Sequence, residues 1–332
     1  MTAPNCQLPA PDFYTTMMHG FHFVSYPVYL VTLFTLFREH SKHFQIYKYY
    51  IISHVIINVV SETYVSFAML PMTYLPYVMF RTTGWLAQYG FSGLTQFYLL
   101  SFLVSITMGS IIEMLYFRFK VCIIDHETHK SFKLLRVLVN IYRFMEVFPY
   151  VIEIIGYKNS ISGQQQKLKD IYNQNPLLPA EFTCYSCVIA LMTDWVTWVT
   201  FTCFGIQLVT SLTLFTTCLL SIWKFVWDPA NSFSKETIKL QVMLLISLFT
   251  QVTIHTTLIG MPVIFLGYAV FFDMNNDYFA LTLMLLLGYH GFVSTCAMIF
   301  FTKPLRDVFL PCLKTKPRVR QKAMSFSVTN VW

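Results

Sequence analysis

Charged residues are scarce in this chain of 332 residues, where Asp, Glu, Lys and Arg together make up 12%. That share is about half the usual one in soluble proteins. A soluble domain with so few charges could not cover its surface, whereas a charge at mid-membrane costs about 2.5–3.5 kcal/mol. The hydrophobic share of 55% and the aromatic share of 17% suit lipid-facing and interfacial surface. The composition therefore indicates an integral membrane protein.

Basic residues are absent from residues 1–12, so the positively charged start of a cleavable signal peptide is missing. The first hydrophobic segment, Phe13–Phe37, is also long enough to span a bilayer. We expect it to remain as a signal anchor behind an extracellular N-terminus. Internal repeats are absent too, which argues against a transporter built from duplicated halves.

Seven segments are long and apolar enough to be candidate spans. The fourth is the weakest, because Arg143, Glu146 and Glu153 interrupt it. Arg143 and Glu146 are three residues apart and share a helix face, so we expect them to neutralise one another toward the bundle interior. The candidates are Phe13–Phe37, Tyr49–Met72, Phe91–Phe117, Leu134–Tyr157, Trp195–Trp223, Leu240–Phe265 and Tyr278–Phe301.

The distribution of positive charge fixes the orientation. With seven spans and the N-terminus outside, the inner segments hold 18 Lys and Arg and the outer segments 4, a strong positive-inside bias. The sequence thus predicts an all-α membrane protein, a seven-transmembrane-helix bundle of GPCR type over residues 13–301. A basic cytoplasmic tail follows at 302–332. Its start, Lys303–Leu310, is predicted to form a short juxtamembrane helix, and its basic residues would attract anionic membrane lipids.

The longest outer segment, Tyr157–Asp194, is predicted to be a loop too short to bury a core of its own. It contains Cys184 and Cys187, which face the oxidising exterior together with Cys6. Three states stay open: a bond from Cys6 to Cys184, a bond from Cys6 to Cys187, or free thiols. A zinc site lacks the further ligands that the metal needs.

Histidine pairs spaced H-x-x-H raise the alternative of a membrane metalloenzyme, because iron-dependent desaturases use such pairs. Those sites need about eight clustered histidines, whereas the nine here are spread over both membrane faces and the interior. We therefore expect no metal, no cofactor and no enzymatic activity. The pairs are His19 with His22, His40 with His43, and His126 with His129.

Polar residues inside the spans are the first candidates for function, since they are expensive there. Glu62 lies near the middle of the second span, where it is expected to pair with His290 or Ser294 of the seventh, or to be a protonated packing residue. In the sixth span, Pro262 breaks the backbone ladder and creates either a static kink or a pivot.

A small organic ligand would suit the outer halves of the spans, where aromatic rings alternate with hydrogen-bonding groups. Placement against lipid is the alternative for any single one of these residues. The candidate ligand-binding residues are Gln96, Tyr98, Trp198, Thr200, His255, Thr256, Tyr278 and Tyr289.

The end of the chain resembles the nematode serpentine chemoreceptors of the Str-type superfamily, nearest to classes H and I. Residues His290–Thr295 read H-G-F-V-S-T, and Lys303–Arg306 read K-P-L-R, where the family usually has H-G-x-x-S-T and then P-Y-R. The entry to the sixth span at Ser234–Gln241 and the segment Gly84–Gln96 are also similar.

The resemblance implies a chemosensory G-protein-coupled receptor in the plasma membrane of a sensory cilium. It would bind an odorant or pheromone, signal to a heterotrimeric G protein and not bind nucleic acid. The residues expected to face the G protein are Glu113, Tyr116, Arg118, Lys235, Lys239, Pro304 and Arg306.

One departure concerns the foot of the third span, where the family has Glu-Asn-Arg and this chain has Glu113-Met114-Leu115. Either Arg118, one turn on, substitutes for the missing arginine, or coupling is weakened. A transporter or channel without a G protein is the alternative function, motivated by the charges in the second and fourth spans.

Overall fold

The computed structural model describes residues 6, 9–38, 45–75, 79–122, 130–174, 180–189, 194–227, 235–272, 274 and 276–309. Within these ranges the chain folds into a bundle of long helices with a small sheet. The α-helices are α1 (Asp12–Arg38), α2 (Gln45–Thr63), α3 (Trp85–Gln88), α4 (Gly93–Cys122), α5 (Lys130–Gln174), α6 (Trp195–Val226), α7 (Lys235–His255), α8 (Met261–Phe271), α9 (Asp277–Phe301) and α10 (Lys303–Phe309).

Five helical segments of the described chain are long and apolar enough to cross a membrane. The predicted fourth span lies within α5, whose charges lower its hydropathy. The predicted sixth span is divided between α7 and α8, and it contributes the shorter apolar helix Leu245–Gly260. When the predicted fourth and sixth spans are added to the five, the all-α bundle expected from the sequence is confirmed. The five are Asp12–Arg38, Ile46–Met69, Gly93–Val121, Trp195–Phe225 and Tyr278–Phe301.

The predicted outer loop at Tyr157–Asp194 is largely wrong, because α5 continues as a helix to Gln174. Its 45 residues correspond to a length of about 68 Å, more than twice the hydrocarbon core of a bilayer. The projecting end is rich in Gln and Lys, which favour helices, and Gln166 donates a hydrogen bond to Asp170 one turn on (2.9 Å). The polar composition of this segment predicted a loop, but the same composition also suits a solvent-exposed helix.

Two π-helical turns interrupt the bundle. One, Tyr64–Met69, follows α2, and the other, Thr256–Gly260, joins α7 to α8. Each stands just before a proline, Pro71 or Pro262, which lacks the N–H that a regular helix would use. The second span therefore ends at Met69 and not at the predicted Met72. The wide turns are typical of functional sites in helices.

A three-stranded antiparallel sheet follows the order β1 (Pro71–Tyr74), β2 (Met79–Thr82), β3 (Cys187–Ile189), and β1 includes the last two residues of the predicted second span. Strand β1 contacts α9, whereas β2 and β3 contact α4. The sheet therefore crosses the outer ends of these two helices. We call it the outer sheet.

The segment after α5 buries a small core together with the outer sheet and α5, rather than a core of its own. Its buried members are Met79, Leu168, Phe182, Cys184, Cys187 and Ile189. A buried arginine of β2, Arg81, also forms an ion pair with Glu181 (3.6 Å). These contacts fix the segment to the bundle.

A disulfide bond joins Cys6 to Cys184 across 178 residues of sequence, and Cys187 is a buried thiol. Of the three states left open by the sequence, the structure has the first. Burial raises the pKa of the Cys187 thiol to about 12. The bond ties the N-terminal segment to the outer sheet.

Replacing Cys6 by serine is expected to lower the free energy of unfolding by about 2–4 kcal/mol, because the bond closes a very long loop of the unfolded chain. The matched control is Cys187→Ser, which removes a neighbouring thiol and leaves the bond intact. Melting of the purified protein in detergent, with and without reductant, measures both. An equal effect of the two substitutions would contradict the assigned bond.

Apolar packing forms two large clusters. The first joins residues of α1, α2, α4, α5, α6, α7 and α9 and includes Leu305 of α10. The second joins α1, the first π-helical turn, β1, α4, α8 and α9. Because Leu305 is fully buried, α10 is held against the bundle close to the predicted Lys303–Leu310. Residues 310–332, most of the predicted tail, lie outside the described residues.

Candidate functional site

Glu62 forms the centre of a buried polar network between the first and second spans. Its carboxylate is 1% exposed and accepts hydrogen bonds from Ser25 and from the hydroxyl of Tyr29 (2.7 Å). The Nδ1 atom of His22 lies 3.3 Å from Oε1. The expected pairing of Glu62 with His290 or Ser294 is therefore wrong, since its hydrogen-bond donors come from the neighbouring α1.

A second polar group, which we call the histidine cluster, consists of His54, His255 and His290. Their rings come from α2, α7 and α9, with centroids 5.6 Å apart for His54 and His255 and 5.3 Å apart for His255 and His290. All three are almost completely buried. The cluster therefore joins three spans that are distant in sequence.

Hydrogen bonds extend the histidine cluster to α4 and along α9. Nδ1 of His54 contacts the Ser110 hydroxyl (2.7 Å), and its Nε2 contacts Asn58 (3.2 Å) and, more distantly, Ser294 (3.4 Å). Gly291 allows the close approach of α9, because an added Cβ would lie 3.1 Å from Asn58 Cβ and from the Tyr29 hydroxyl. Four spans thus meet at this level.

The histidine cluster and the polar residues beside it hold buried atoms that have no hydrogen-bond partner among the described residues. They include Nε2 of both His255 and His290, Oδ1 of Asn58 and Oε1 of Gln251. Such atoms cost about 1–3 kcal/mol each when buried. No group of three or more metal-ligating side chains suited to a metal ion occurs in the part of the chain that is described. The arrangement suits a region that rearranges between conformations.

The charges of the third and fourth spans pair differently from the sequence prediction. The ion-pair partner of Arg143 is Glu113 and not Glu146: the guanidinium forms two hydrogen bonds to the Glu113 carboxylate, with N–O distances of 2.7 and 2.9 Å. Glu146 packs against Gly109. Both glutamates line a cleft of about 300 Å³ between α2, α4 and α5. We call it the inner cleft.

Two of the residues expected to face a G protein are mostly buried. The guanidinium of Arg118 lies over the ring of Tyr47, 3.4 Å from its centroid, a contact worth up to about 2 kcal/mol when desolvated. Tyr116 stacks beside Phe132, and the ammonium of Lys120 lies 4.6 Å from its ring centroid. The third span is thus fixed at its inner end.

Of the other residues expected to face a G protein, some have side chains that are not among those described. Arg306 of α10 donates to the carbonyl of Phe300 (3.4 Å), which holds it at the end of α9. The side chains of Lys235, Lys239 and Pro304 are not among those described, although their backbones begin α7 and α10.

The predicted ligand-binding residues do not form one group. Tyr98 lines a cleft between α4 and α5, and Thr200 donates a hydrogen bond to Glu153 at the same place (3.3 Å). His255 belongs to the histidine cluster, and Thr256 begins the second π-helical turn. Sequence reasoning missed Glu153 as a residue of this cleft, because it weighed Glu153 only as an interruption of the span.

The other four predicted ligand-binding residues lie elsewhere. Gln96 is buried and donates to the carbonyl of Phe91 (3.1 Å). Tyr289 stacks on Phe21 with centroids 3.7 Å apart. Trp198 and Tyr278 are 58% and 81% exposed on the surface of the bundle. None of these four residues lines the cleft that Tyr98 lines.

The Tyr98 cleft, which we call the outer cleft, has a volume of about 390 Å³. Its walls are the facing surfaces of α4 and α5, and the carboxylate of Glu153 is its buried polar group. This volume lies within the range of about 300–1,000 Å³ that is usual for small-molecule sites. The residues around it are Thr95, Tyr98, Leu99, Phe102, Tyr150, Glu153, Ile154 and Tyr157.

Membrane-spanning helices, a polar centre shared by four of them and clefts between neighbouring helices define a multi-pass membrane protein of the seven-helix receptor class. Residues 9–315 match the family described as serpentine type 7TM GPCR chemoreceptor Srh. The match covers most of the chain, so the protein belongs to this family. The resemblance drawn from the seventh span is thereby confirmed. No curated protein and no solved structure matches the chain.

Proposed function

We propose that this member of the family binds a small external ligand of the odorant or pheromone class and signals to a heterotrimeric G protein. The site of action would be the membrane of a sensory cilium. Membership of a chemoreceptor family supports receptor function as a class. The proposals of ligand binding and of G-protein coupling are based on the arrangement of the polar core.

The observation that carries the proposal is the position of His255. It belongs to the buried histidine cluster and is also the last α-helical residue before the second π-helical turn. π-helical turns inside α-helices are frequent at functional sites, and a shift of this turn along the helix would reorient His255. Because atoms of the cluster lack partners, an alternative packing of His255 could satisfy them, and the two states would differ by little free energy.

A ligand bound between the outer halves of the spans would favour one of these two states by binding it more tightly. Movement of α7 would then change the inner face, where a G protein would bind. In this mechanism Arg118, buried against Tyr47 in this structure, would stiffen the foot of α4 and would become accessible when α7 moves. It would take the place of the arginine missing after Glu113.

We expect Arg118→Ala to reduce ligand-driven G-protein activation at least tenfold without lowering the surface amount of receptor. The cells would express the receptor with a G-protein dissociation sensor and be exposed to an odorant panel. Lys120→Ala is the matched control, because it removes a charge two residues away on the same helix and is expected to signal normally.

Unchanged signalling by Arg118→Ala would contradict the assigned role of this residue. The proposal as a whole would be contradicted by ligand-driven flux or conductance in liposomes that contain the purified protein and no G protein. That result would favour the transporter or channel alternative.

A further inference from the structure

We infer that the outer cleft binds a lipophilic ammonium group, with Glu153 as its counter-ion. This deepens the proposed function, because it names a ligand class for a chemoreceptor. Glu153 of α5 carries a carboxylate that is only 2% exposed and that lines a cavity between two spans.

One of the two carboxylate oxygens of Glu153 has no hydrogen-bond partner among the described residues. Oε1 accepts a hydrogen bond from Thr200 (3.3 Å), but Oε2 is buried and has none among the described residues. Lys and Arg are also absent from the residues that line the cleft. A buried carboxylate without a cation or a second donor is costly. A ligand that brings a positively charged N–H group would supply both.

The walls of the cleft suit the same chemistry. Tyr98, Phe102, Tyr150 and Tyr157 surround it, and the rings of Phe102 and Tyr150 meet edge to face with centroids 4.8 Å apart. Aromatic faces attract ammonium groups, and the attraction grows when water is excluded. An anionic ligand would instead meet the charge of Glu153.

The side of the cleft lies on the surface of the bundle, and hydrogen bonds cross its outer end. At its outer end the hydroxyl of Tyr157 is within hydrogen-bonding distance of Thr95 (2.8 Å) and Ser92 (3.0 Å), and the outer sheet contacts α4 beyond them. At its side, Leu99 and Ile154 are exposed on the surface of the bundle. A ligand would therefore enter from the lipid, which requires an apolar body.

The first test measures binding to the purified receptor in dodecyl maltoside, without a G protein. The probe is 4-phenylbutylamine, and the neutral comparison is 4-phenylbutan-1-ol, which has the same carbon skeleton. We expect the amine to raise the melting temperature and the alcohol to do so much less. Glu153→Gln should weaken amine binding by about 10- to 100-fold, since a hydrogen bond to a charged group contributes roughly that much.

Two further variants separate a binding defect from a folding defect. Glu146→Gln removes a carboxylate from the same helix but from the inner cleft, so it should bind the amine normally. Leu99→Trp narrows the mouth at an exposed position and leaves Glu153 in place, so it should weaken amine binding without lowering the melting temperature of the free receptor. Equal binding of amine and alcohol, or undiminished binding by Glu153→Gln, would overturn the inference.

The ammonium group has two natural sources, a free amine or the ethanolamine headgroup of a lipid. A second arm adds phosphatidylethanolamine to the detergent-purified receptor. Stabilisation that depends on Glu153 would support the site with a lipid as its occupant. Selective amine binding without any G-protein response would contradict the proposed function alone. A response to other cues without amine selectivity would contradict the inference alone.

Discussion

Glu62→Ala is expected to destabilise the receptor more than any single hydroxyl deletion around it. The substitution leaves the hydroxyl of Tyr29 buried without its acceptor, at a cost of about 1–3 kcal/mol, and leaves the Ser25 hydroxyl only the carbonyl of His22 as acceptor. It also removes the carboxylate oxygen that lies 3.3 Å from Nδ1 of His22. Because folded proteins are stable by only about 5–15 kcal/mol, the surface amount of receptor should fall markedly.

Melting in detergent and antibody labelling of intact cells would measure the effect of Glu62→Ala. Tyr29→Phe is the matched control: it deletes one donor and almost no volume, so its loss of stability should be clearly smaller. Glu62→Gln should fall between them, since it keeps the shape and one acceptor oxygen. A wild-type melting temperature for Glu62→Ala would show that the network contributes little.

The second large effect is expected when Arg143 loses its partner. Glu113→Ala leaves the guanidinium without a counter-charge beside the hydrocarbon, although Arg143 is half exposed on the bundle. The cost should therefore be below the roughly 3–5 kcal/mol that breaking a fully buried pair causes. Arg143→Ala should cost less than Glu113→Ala, because a lone carboxylate can be protonated.

A charge exchange tests whether the pair itself is responsible. Glu113→Arg combined with Arg143→Glu should recover most of the stability that each single exchange loses, and a double-mutant cycle gives the coupling energy. Arg136→Ala, at an exposed position of the same helix, serves as the control. Simple addition of the two single effects would exclude a direct contribution from the pair.

The sequence predicted the bundle well because membrane spans follow from composition and charge alone. The apolar segments and the positive-inside bias required no knowledge of packing. The sequence could not show that α5 extends to Gln174, since a polar helix outside the membrane and a polar loop have the same composition. The outer sheet was missed for a related reason: its three strands are each only three or four residues long.

The candidate site was less predictable, because its members meet only through the packing of distant helices. The H-x-x-H spacing drew attention to neighbours in sequence, whereas the histidine cluster joins His54, His255 and His290. Glu62 was recognised as important but assigned to the wrong helix, since sequence does not show which face of α2 meets α1. Arg143 likewise forms its ion pair with Glu113, thirty positions away in the sequence, and not with its neighbour Glu146.

The π-helical turn at Thr256–Gly260 also has a meaning in evolutionary terms. A π-helical turn is an α-helix with one extra residue, so relatives lacking it would align with this chain only across a one-residue gap. Deleting a single residue there should restore a regular helix and leave α8 facing the same neighbours, because the wide turn takes up the extra residue. The change would be confined to the turn, so residues beside the histidine cluster can vary in number without disturbing the packing of α8.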